Sequence, residues 1–295
     1  MSKQTFTGSW LLRKILITGA TGNVGHAVID TLQKLPHNYT IMAGVRHTRA
    51  ANQINFAHGV IIISFNFEDN STHQNVLENC EVLFILRPPQ LSDAEKYFAP
   101  LIASCVKGQV KHIFFLSVQG VEKSKFIPHH RIEKLIVESK IPYTFLRPAY
   151  FMQNFTTTLR KDITAKNRIY LPAGKSKFTL IDVDDIGTVT AIVIINYKKH
   201  SNKTYELTSA DRLSFLEIAS IISANCGRQI SYESPNLVRF FIVKRQEKVP
   251  VPYVFILIML HYLPRFQKEP KISSCVSDLT GVLPVTFTQF VSKNK

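Results

Sequence analysis

Acidic residues are in short supply in this 295-residue sequence: 21 Asp and Glu stand against 36 Lys and Arg, a formal charge of +15 with histidine neutral. A surplus of that size suits a solvated basic surface, attraction of an anionic ligand, or a nucleic-acid face. The basic residues are scattered, and no helix-turn-helix, zinc-finger or aromatic-and-basic RNA signature accompanies them, so no nucleic-acid partner is expected. Cysteine is sparse as well. Cys80, Cys105, Cys226 and Cys275 stand alone without a C-x-x-C pair, which argues against a zinc site, and no metal is expected. Long apolar runs are also missing. The longest, residues 254–260, is fenced by Pro252 and Pro264 and falls far short of the ~20 residues of a membrane span, so it reads as a buried helix. Residues 1–14 have only Trp10-Leu11-Leu12 as an apolar core, too short for that of a secretory signal. The expectation is a cytoplasmic, reducing setting in which the thiols stay free.

What remains is an ordinary globular balance, 45% hydrophobic and 19% charged. The length allows one large or two modest domains, and a chain of this size buries roughly 75% of its unfolded surface without any staple. Apolar, β-rich runs at 14–18, 40–46, 60–65, 82–87, 112–117 and 144–147 alternate with helical patterns at 24–35, 49–56, 71–78, 93–107 and 129–139. Such alternation predicts βαβ units, right-handed crossovers and a doubly wound parallel sheet, an α/β fold of Rossmann type. The runs Ile15-Leu16-Ile17, Val60-Ile61-Ile62-Ile63 and His112-Ile113-Phe114-Phe115-Leu116 predict strands buried on both faces. Beyond these, helices are expected at 184–196, 214–226, 236–248 and 253–262, with a short strand at 204–207. Ser214 and Glu217 form a capping box for the second of these helices, and Gly227 stops it. Residues 1–155 are expected to form the Rossmann-type domain. Residues 156–295 are expected to form a smaller α/β lobe, interleaved with the sheet and covering its carboxyl edge.

The first strand runs into Thr18-Gly19-Ala20-Thr21-Gly22-Asn23-Val24-Gly25 and then into a helix. In such a loop Gly19 allows the tight turn, Gly22 lets the backbone approach a pyrophosphate, and Gly25 permits close packing of helix on strand. The helix N-terminus offers free N–H groups and partial positive charge to the phosphates. No Lys-Ser/Thr pair follows the glycines, which disfavours a nucleoside triphosphatase loop. The reading is a nicotinamide dinucleotide site. An acid about 20 residues on, at the end of the second strand, would mark NAD. Here the sequence is Gly44-Val45-Arg46-His47-Thr48-Arg49, with no acid. Arg46, with Arg49 nearby, suits the 2′-phosphate of NADP(H), so NADP(H) is expected over NAD(H).

Further segments complete a pattern. They are Leu86-Arg87-Pro88-Pro89, Phe115-Leu116-Ser117-Val118-Gln119-Gly120, Pro128-His129-His130-Arg131-Ile132-Glu133, Leu146-Arg147-Pro148-Ala149-Tyr150-Phe151-Met152-Gln153-Asn154, Ile181-Asp182-Val183-Asp184-Asp185-Ile186 and Leu279-Thr280-Gly281-Val282-Leu283-Pro284. In order and spacing the chain resembles the NmrA-like family, an atypical branch of the short-chain dehydrogenase/reductases. That family includes NAD(P)H-dependent quinone reductases, triphenylmethane-dye reductases, and regulators that bind the cofactor without evident turnover. The resemblance implies that Gly19, Thr21, Gly22, Asn23 and Val24 line the pyrophosphate, that Arg46 meets the adenosine phosphate, and that Asn66 and Phe67 lie near the adenine. It also implies that Leu86 and Arg87 follow the nicotinamide ribose, and that Pro148, Ala149, Tyr150 and Phe151 lie beside the nicotinamide.

The wider superfamily's Y-x-x-x-K pair is absent. Counting back from Glu133, the lysine position holds His129 and the tyrosine position holds Lys125. Ordinary alcohol or ketone chemistry needs a well-placed proton donor. A quinone or conjugated cation takes a hydride into its π-system instead, with the cofactor carrying the hard step. The candidate catalytic residues are Ser117, His129 and Tyr150. Each has a bland alternative: a turn serine, a helix-start histidine that caps or faces solvent, a core aromatic. Asp182, Asp184 and Asp185 fit helix capping and junction bonds better than a metal cluster. Two functions follow. One is an NADP(H)-dependent reductase of small conjugated substrates. The other is a cofactor-sensing regulator acting through a protein partner. No membrane partner is expected for either.

If Arg46 carries the 2′-phosphate, Arg46→Ala removes a charge-assisted bond of about 1.5–3 kcal/mol, so NADPH affinity falls roughly tenfold to a hundredfold. NADH affinity stays nearly unchanged. Calorimetric titration with both cofactors checks this, and equal losses would rule the role out.

Overall fold

The computed structural model describes residues 13–48, 56 and 59–294. The expected helix at 49–56 lies outside the described residues except for Phe56, as does Arg49. The chain divides into two compact units. The first takes the residues up to Ser117, Val121–Leu146 and Thr190–Tyr205. The second takes Val118–Gly120, Arg147–Val189 and the residues from Glu206 onward.

The first unit is built on a seven-stranded sheet. Its strands are β1 (Arg13–Thr18), β2 (Tyr39–Val45), β3 (Val60–Ser64), β4 (Cys80–Leu86), β5 (His112–Leu116), β6 (Tyr143–Pro148) and, taken from much later in the chain, β10 (Lys203–Leu207). The order is β10-β6-β5-β4-β1-β2-β3, and β1 to β6 pair in parallel. The expected α/β, doubly wound Rossmann-type sheet is therefore present. Its strand order reverses between β1 and β4. Ile15, Leu16, Ile17, Val82, Leu83, Phe84, Ile113, Phe114 and Phe115 are fully buried, as helices on both faces require. The run 60–63 departs from this expectation. As β3 it forms the sheet edge, and Ile61 is 52% exposed.

Helices Asn23–Lys34, Ser71–Leu77 and Pro128–Glu138 stand where the apolar spacing put them. The expected helix at 93–107 is two helices, Ala94–Tyr97 and Ala99–Lys107. Asp93 caps the first by accepting from the Lys96 N–H at 3.0 Å. Pro100 lies in the first turn of the second, where its missing N–H costs nothing.

The second unit carries small sheets that sequence periodicity did not reveal. β7 (Tyr150–Phe151) pairs with β9 (Lys177–Ile181), which pairs with β11 (Arg212–Ser214); β8 (Arg168–Tyr170) pairs with β12 (Ser231–Glu233). Two or three residues are too few for period-two alternation to register. Helix Phe215–Cys226 begins with the expected Ser214–Glu217 capping box and ends at Gly227 in the left-handed region. Helix Val251–Tyr262 is not buried all round. Val254, Leu257 and His261 face inward, while Phe255 is 58% and Leu260 48% exposed. Helical spacing puts only one stripe of the apolar run into the core. Among the described residues no helix is long and apolar enough to cross a membrane.

The acids at 182–185 act as local structure. Asp182 Oδ1 accepts from the Asp184 N–H at 3.0 Å and from Gln153 Nε2 at 2.6 Å, at the start of helix Val183–Ile195. Asp185 Oδ2 accepts from the Val285 N–H at 2.8 Å. Burial, reinforced by Asp182 and Asp184, pushes the Asp185 carboxyl up to about 6. A group whose pKa is raised on folding favours the folded state most below its unfolded pKa of about 4, and that contribution is lost as pH rises through the folded value. Asp185→Asn keeps the acceptor oxygen and removes the charge. Its melting temperature is expected to exceed that of the wild type at pH 7.5, with the gap closing by pH 4. A gap independent of pH would contradict the assignment.

Candidate functional site

The site begins where β1 ends. Thr18 is fully buried, and its Oγ1 donates to the Phe84 carbonyl at 3.0 Å while accepting from the Leu86 N–H at 2.9 Å. One side chain thus bolts β1 to β4 at the point where the strand order reverses. Open α/β sheets bind ligands in the crevice at the carboxyl ends of such strands.

From this bolt the chain turns through Gly19 in the left-handed region (φ +60°), with the Gly22 N–H returning to the Gly19 carbonyl at 3.0 Å. A Cβ on Gly25 would lie 2.3 Å from the Gly19 oxygen and 2.8 Å from Ala20 Cα, so only glycine lets the helix start this close to the loop. Gly22 differs: a Cβ there would meet only the Gly19 oxygen, at 3.3 Å. Its Cα therefore borders open space, as a cradle for a ligand must. Gly22 caps helix Asn23–Lys34 with no side-chain bond and no acid in the first turn, leaving the N-terminal N–H groups and dipole for an anion. Gly19, Thr21, Gly22 and Asn23 are exposed, whereas Val24 is buried and offers the site its backbone only.

Arg46 follows β2, exposed and without a hydrogen bond or ion pair to the described residues. After β3, Asn66 and Phe67 have committed side chains. Asn66 Oδ1 accepts from the Glu68 N–H, and the buried Phe67 ring packs edge-on against Phe65 with centroids 5.1 Å apart. That turn offers backbone rather than a stacking ring.

On the other side of the reversal, Arg87 and Ser117 directly follow Leu86 and Leu116, which are partners in the β4–β5 register. Ser117 is 2% exposed, and its Oγ has no hydrogen-bond partner among the described residues. Arg87 Nη1 donates to the carbonyls of Pro88, Pro89 and Leu91, each at 3.0 Å, and Nε donates to His129 Nε2 at 3.3 Å. The His129 ring stacks on Phe115 at 5.9 Å. Burial, with the Arg87 charge beside it, pushes His129 down to about 3. It is therefore neutral at pH 7, with Nε2 occupied as an acceptor. The structure thus places this candidate at the start of its helix, partly buried, stacked on Phe115 and bonded to Arg87.

In the second unit Tyr150 packs edge-on to Phe178, Phe215 and His261. His261 was not singled out from the sequence. Its Nδ1 lies 2.7 Å from the Leu257 carbonyl, which can only accept, so Nδ1 carries the proton. Nε2 then accepts from the Tyr150 hydroxyl at 3.2 Å. Burial pushes the Tyr150 phenol well above its ordinary range and His261 down to about 4. The hydroxyl proton is thus committed within the unit, and nothing in the sequence spacing of 150 and 261 could have signalled it. Pro148 and Ala149 are fixed by backbone bonds to Gln119 and Leu207, at 3.0 and 2.9 Å, and Phe151 lies in β7.

The open glycine cradle, the uncapped helix and the unpartnered Ser117 hydroxyl fit a phosphate-bearing dinucleotide at this edge of the sheet. A model of the NmrA-like family matches residues 12–280. The chain belongs to the NmrA-like family. It is 29% identical over 279 residues to prestalk A differentiation protein A of Dictyostelium discoideum, covering 95% of this chain and 91% of that protein. With the NAD(P)H azoreductase of Xenophilus azovorans it shares 30% identity over 224 residues, 74% of this chain and 76% of that protein. The fold matches triphenylmethane reductase of Citrobacter sp., solved with NADP(H), at TM-score 0.84 and 24% identity over 96% of this chain and 99% of that one. The match to quinone oxidoreductase QOR2 of Escherichia coli, solved with NADPH, has TM-score 0.84 and 23% identity over 95% and 99%. At these identities the two structural matches establish the fold alone.

The two glycines predict different failures. Gly22→Val lowers the melting temperature less than Gly25→Ala does and loses NADPH binding, because its Cβ meets only the Gly19 oxygen, at 3.3 Å, and the rest of its side chain enters open space. Gly25→Ala lowers the melting temperature, because its Cβ collides with the Gly19 carbonyl. Thermal melts and calorimetry on both variants check this, and normal NADPH binding by Gly22→Val would remove the cradle from the site.

Proposed function

We propose that this NmrA-like chain is an NADP(H)-dependent reductase that delivers hydride to quinones or similar conjugated electrophiles. The carrying observation is a dinucleotide cradle beside an edge with no ready proton donor. At the β4–β5 edge stand a guanidinium, a serine hydroxyl and a histidine held neutral as an acceptor. The Lys125 and His129 positions lack the tyrosine–lysine pair that alcohol and ketone chemistry uses. The azoreductase, dye reductase and quinone oxidoreductase relatives are named for conjugated acceptors, which supports the same reading.

In this reading the N–H groups of Asn23, Val24 and Gly25 hold the pyrophosphate, and Arg46 selects the 2′-phosphate over the NAD ribose. When bound, the reduced nicotinamide supplies the hydride. The chain orients the reacting groups and excludes competing chemistry, and orientation is a large part of the catalytic effect.

Stopped-flow oxidation of bound NADPH against benzoquinones and naphthoquinones tests the proposal. Rapid oxidation by at least one quinone is expected, with no measurable oxidation of aliphatic alcohols by NADP⁺. Fast alcohol turnover would contradict it. So would NADPH that stays bound and unoxidised with every quinone, which would leave a cofactor-sensing protein.

A further inference from the structure

Arg87 is a cation with an unfinished set of partners. A guanidinium carries five N–H donors. Nη1 spends its two on the carbonyls of Pro88, Pro89 and Leu91, and Nε spends one on His129. Nη2 has no partner among the described residues, and no carboxylate among them pairs with Arg87. Burial alone lowers its pKa, so the charge is half-desolvated without a counter-charge. Half-buried cations are normally paired, and a fixed unpaired one calls for an anion.

Its position limits what that anion can be. The pyrophosphate cradle and Arg46 belong to β1 and β2. Arg87 leaves β4 on the other side of the reversal, with the unpartnered Ser117 hydroxyl at the next strand end. The side chain is also immobilised. Three carbonyls of its own loop hold one end, and His129, pinned on Phe115, holds Nε. A protonated His129 would repel the guanidinium and lose the bond. The neutral ring keeps the pair intact and leaves one fixed positive charge that does not titrate near neutrality.

We propose that Arg87 is the oxyanion-holding residue of this site, with Nη2 receiving the oxygen of a conjugated carbonyl acceptor as it becomes an anion. This deepens the reductase reading and rests on it. The quinone gains a hydride, two electrons and one proton together, and the nicotinamide is oxidised. One quinone oxygen takes the hydride from the nicotinamide C–H bond as a new O–H bond, the ring π electrons shift, and the electron pair settles on the other carbonyl oxygen, giving the hydroquinone monoanion. Water then supplies the second proton. A preorganised donor aimed at developing charge does the work that a proton donor does in alcohol chemistry. Arg87 is catalytic in this assignment, and His129 is a positioning residue that acts through it.

The test combines binding and single-turnover kinetics on the NADP(H)-loaded protein. 4-Nitrophenol, whose phenolate mimics the product anion and absorbs differently from the neutral phenol, is titrated into wild type and Arg87→Met. Wild type should bind the phenolate and lower its apparent pKa; Arg87→Met should lose that shift. Quinone reduction by Arg87→Met should slow about 10²- to 10³-fold, a far larger loss than any in NADPH affinity. The wild-type rate should stay level between about pH 6 and 8, since neither Arg87 nor neutral His129 titrates there. Binding of 4-nitrophenol to wild type without a lowered pKa would overturn the assignment even if Arg87→Met fails to fold. A matching loss of NADPH affinity would overturn it too, by moving Arg87 to the cofactor phosphates, and so would a rate step near pH 6.5. Failure of wild type to reduce any quinone would defeat the reductase reading instead, and phenolate binding would still report on Arg87.

Discussion

The close approach of helix Asn23–Lys34 to the Gly19 carbonyl is the constraint around which the site is arranged. A Cβ at position 25 would sit 2.3 Å from that oxygen. The helix can therefore start directly above the end of β1, with its first N–H groups facing out beside the sheet reversal. Thr18 fixes the other half by joining the ends of β1 and β4 through two hydrogen bonds of one hydroxyl. Loosening either contact would move the helix N-terminus relative to Leu86 and Arg87, and the proposed phosphate cradle depends on that placement.

Electrostatics around this frame are one-sided. The first turn of the helix has no acid, Arg46 stands exposed past β2, and Arg87 is held without a carboxylate. Within a surplus of +15 that is otherwise scattered along the chain, Arg87 stands apart because burial half-desolvates it. Neutral His129 completes the arrangement. Its lowered pKa follows from burial and from the neighbouring cation, and its Nε2 accepts from Arg87 Nε.

Much of this was legible in the sequence, and the exceptions have physical causes. The six parallel strands and the glycine loop could be read because buried strands are continuous apolar runs and because the three glycines sit between a strand and a helix. Ile61 broke the pattern because its strand closes an edge. Strands of two or three residues, such as β7 and β12, are set by tertiary pairing and leave no periodic trace. The role of Gly25 emerged only in kind: the spacing implied tight packing, and the structure identifies the Gly19 carbonyl as the group that requires it. The partners of His129 and Tyr150 were not legible, because Arg87 and His261 lie 42 and 111 positions away. Asn66 and Phe67 have side chains occupied by a turn and by the core, which a positional resemblance cannot reveal.

In the proposed function a dinucleotide's phosphates rest on the open N-terminus of helix Asn23–Lys34. Residue-resolved amide hydrogen exchange with and without NADPH addresses it most directly. In the free protein the amides of Asn23, Val24 and Gly25 have no intrahelical acceptor and should exchange quickly. Saturating NADPH is expected to slow all three markedly while the mid-helix amides hardly change. Unaltered exchange at these three positions with NADPH bound would contradict it.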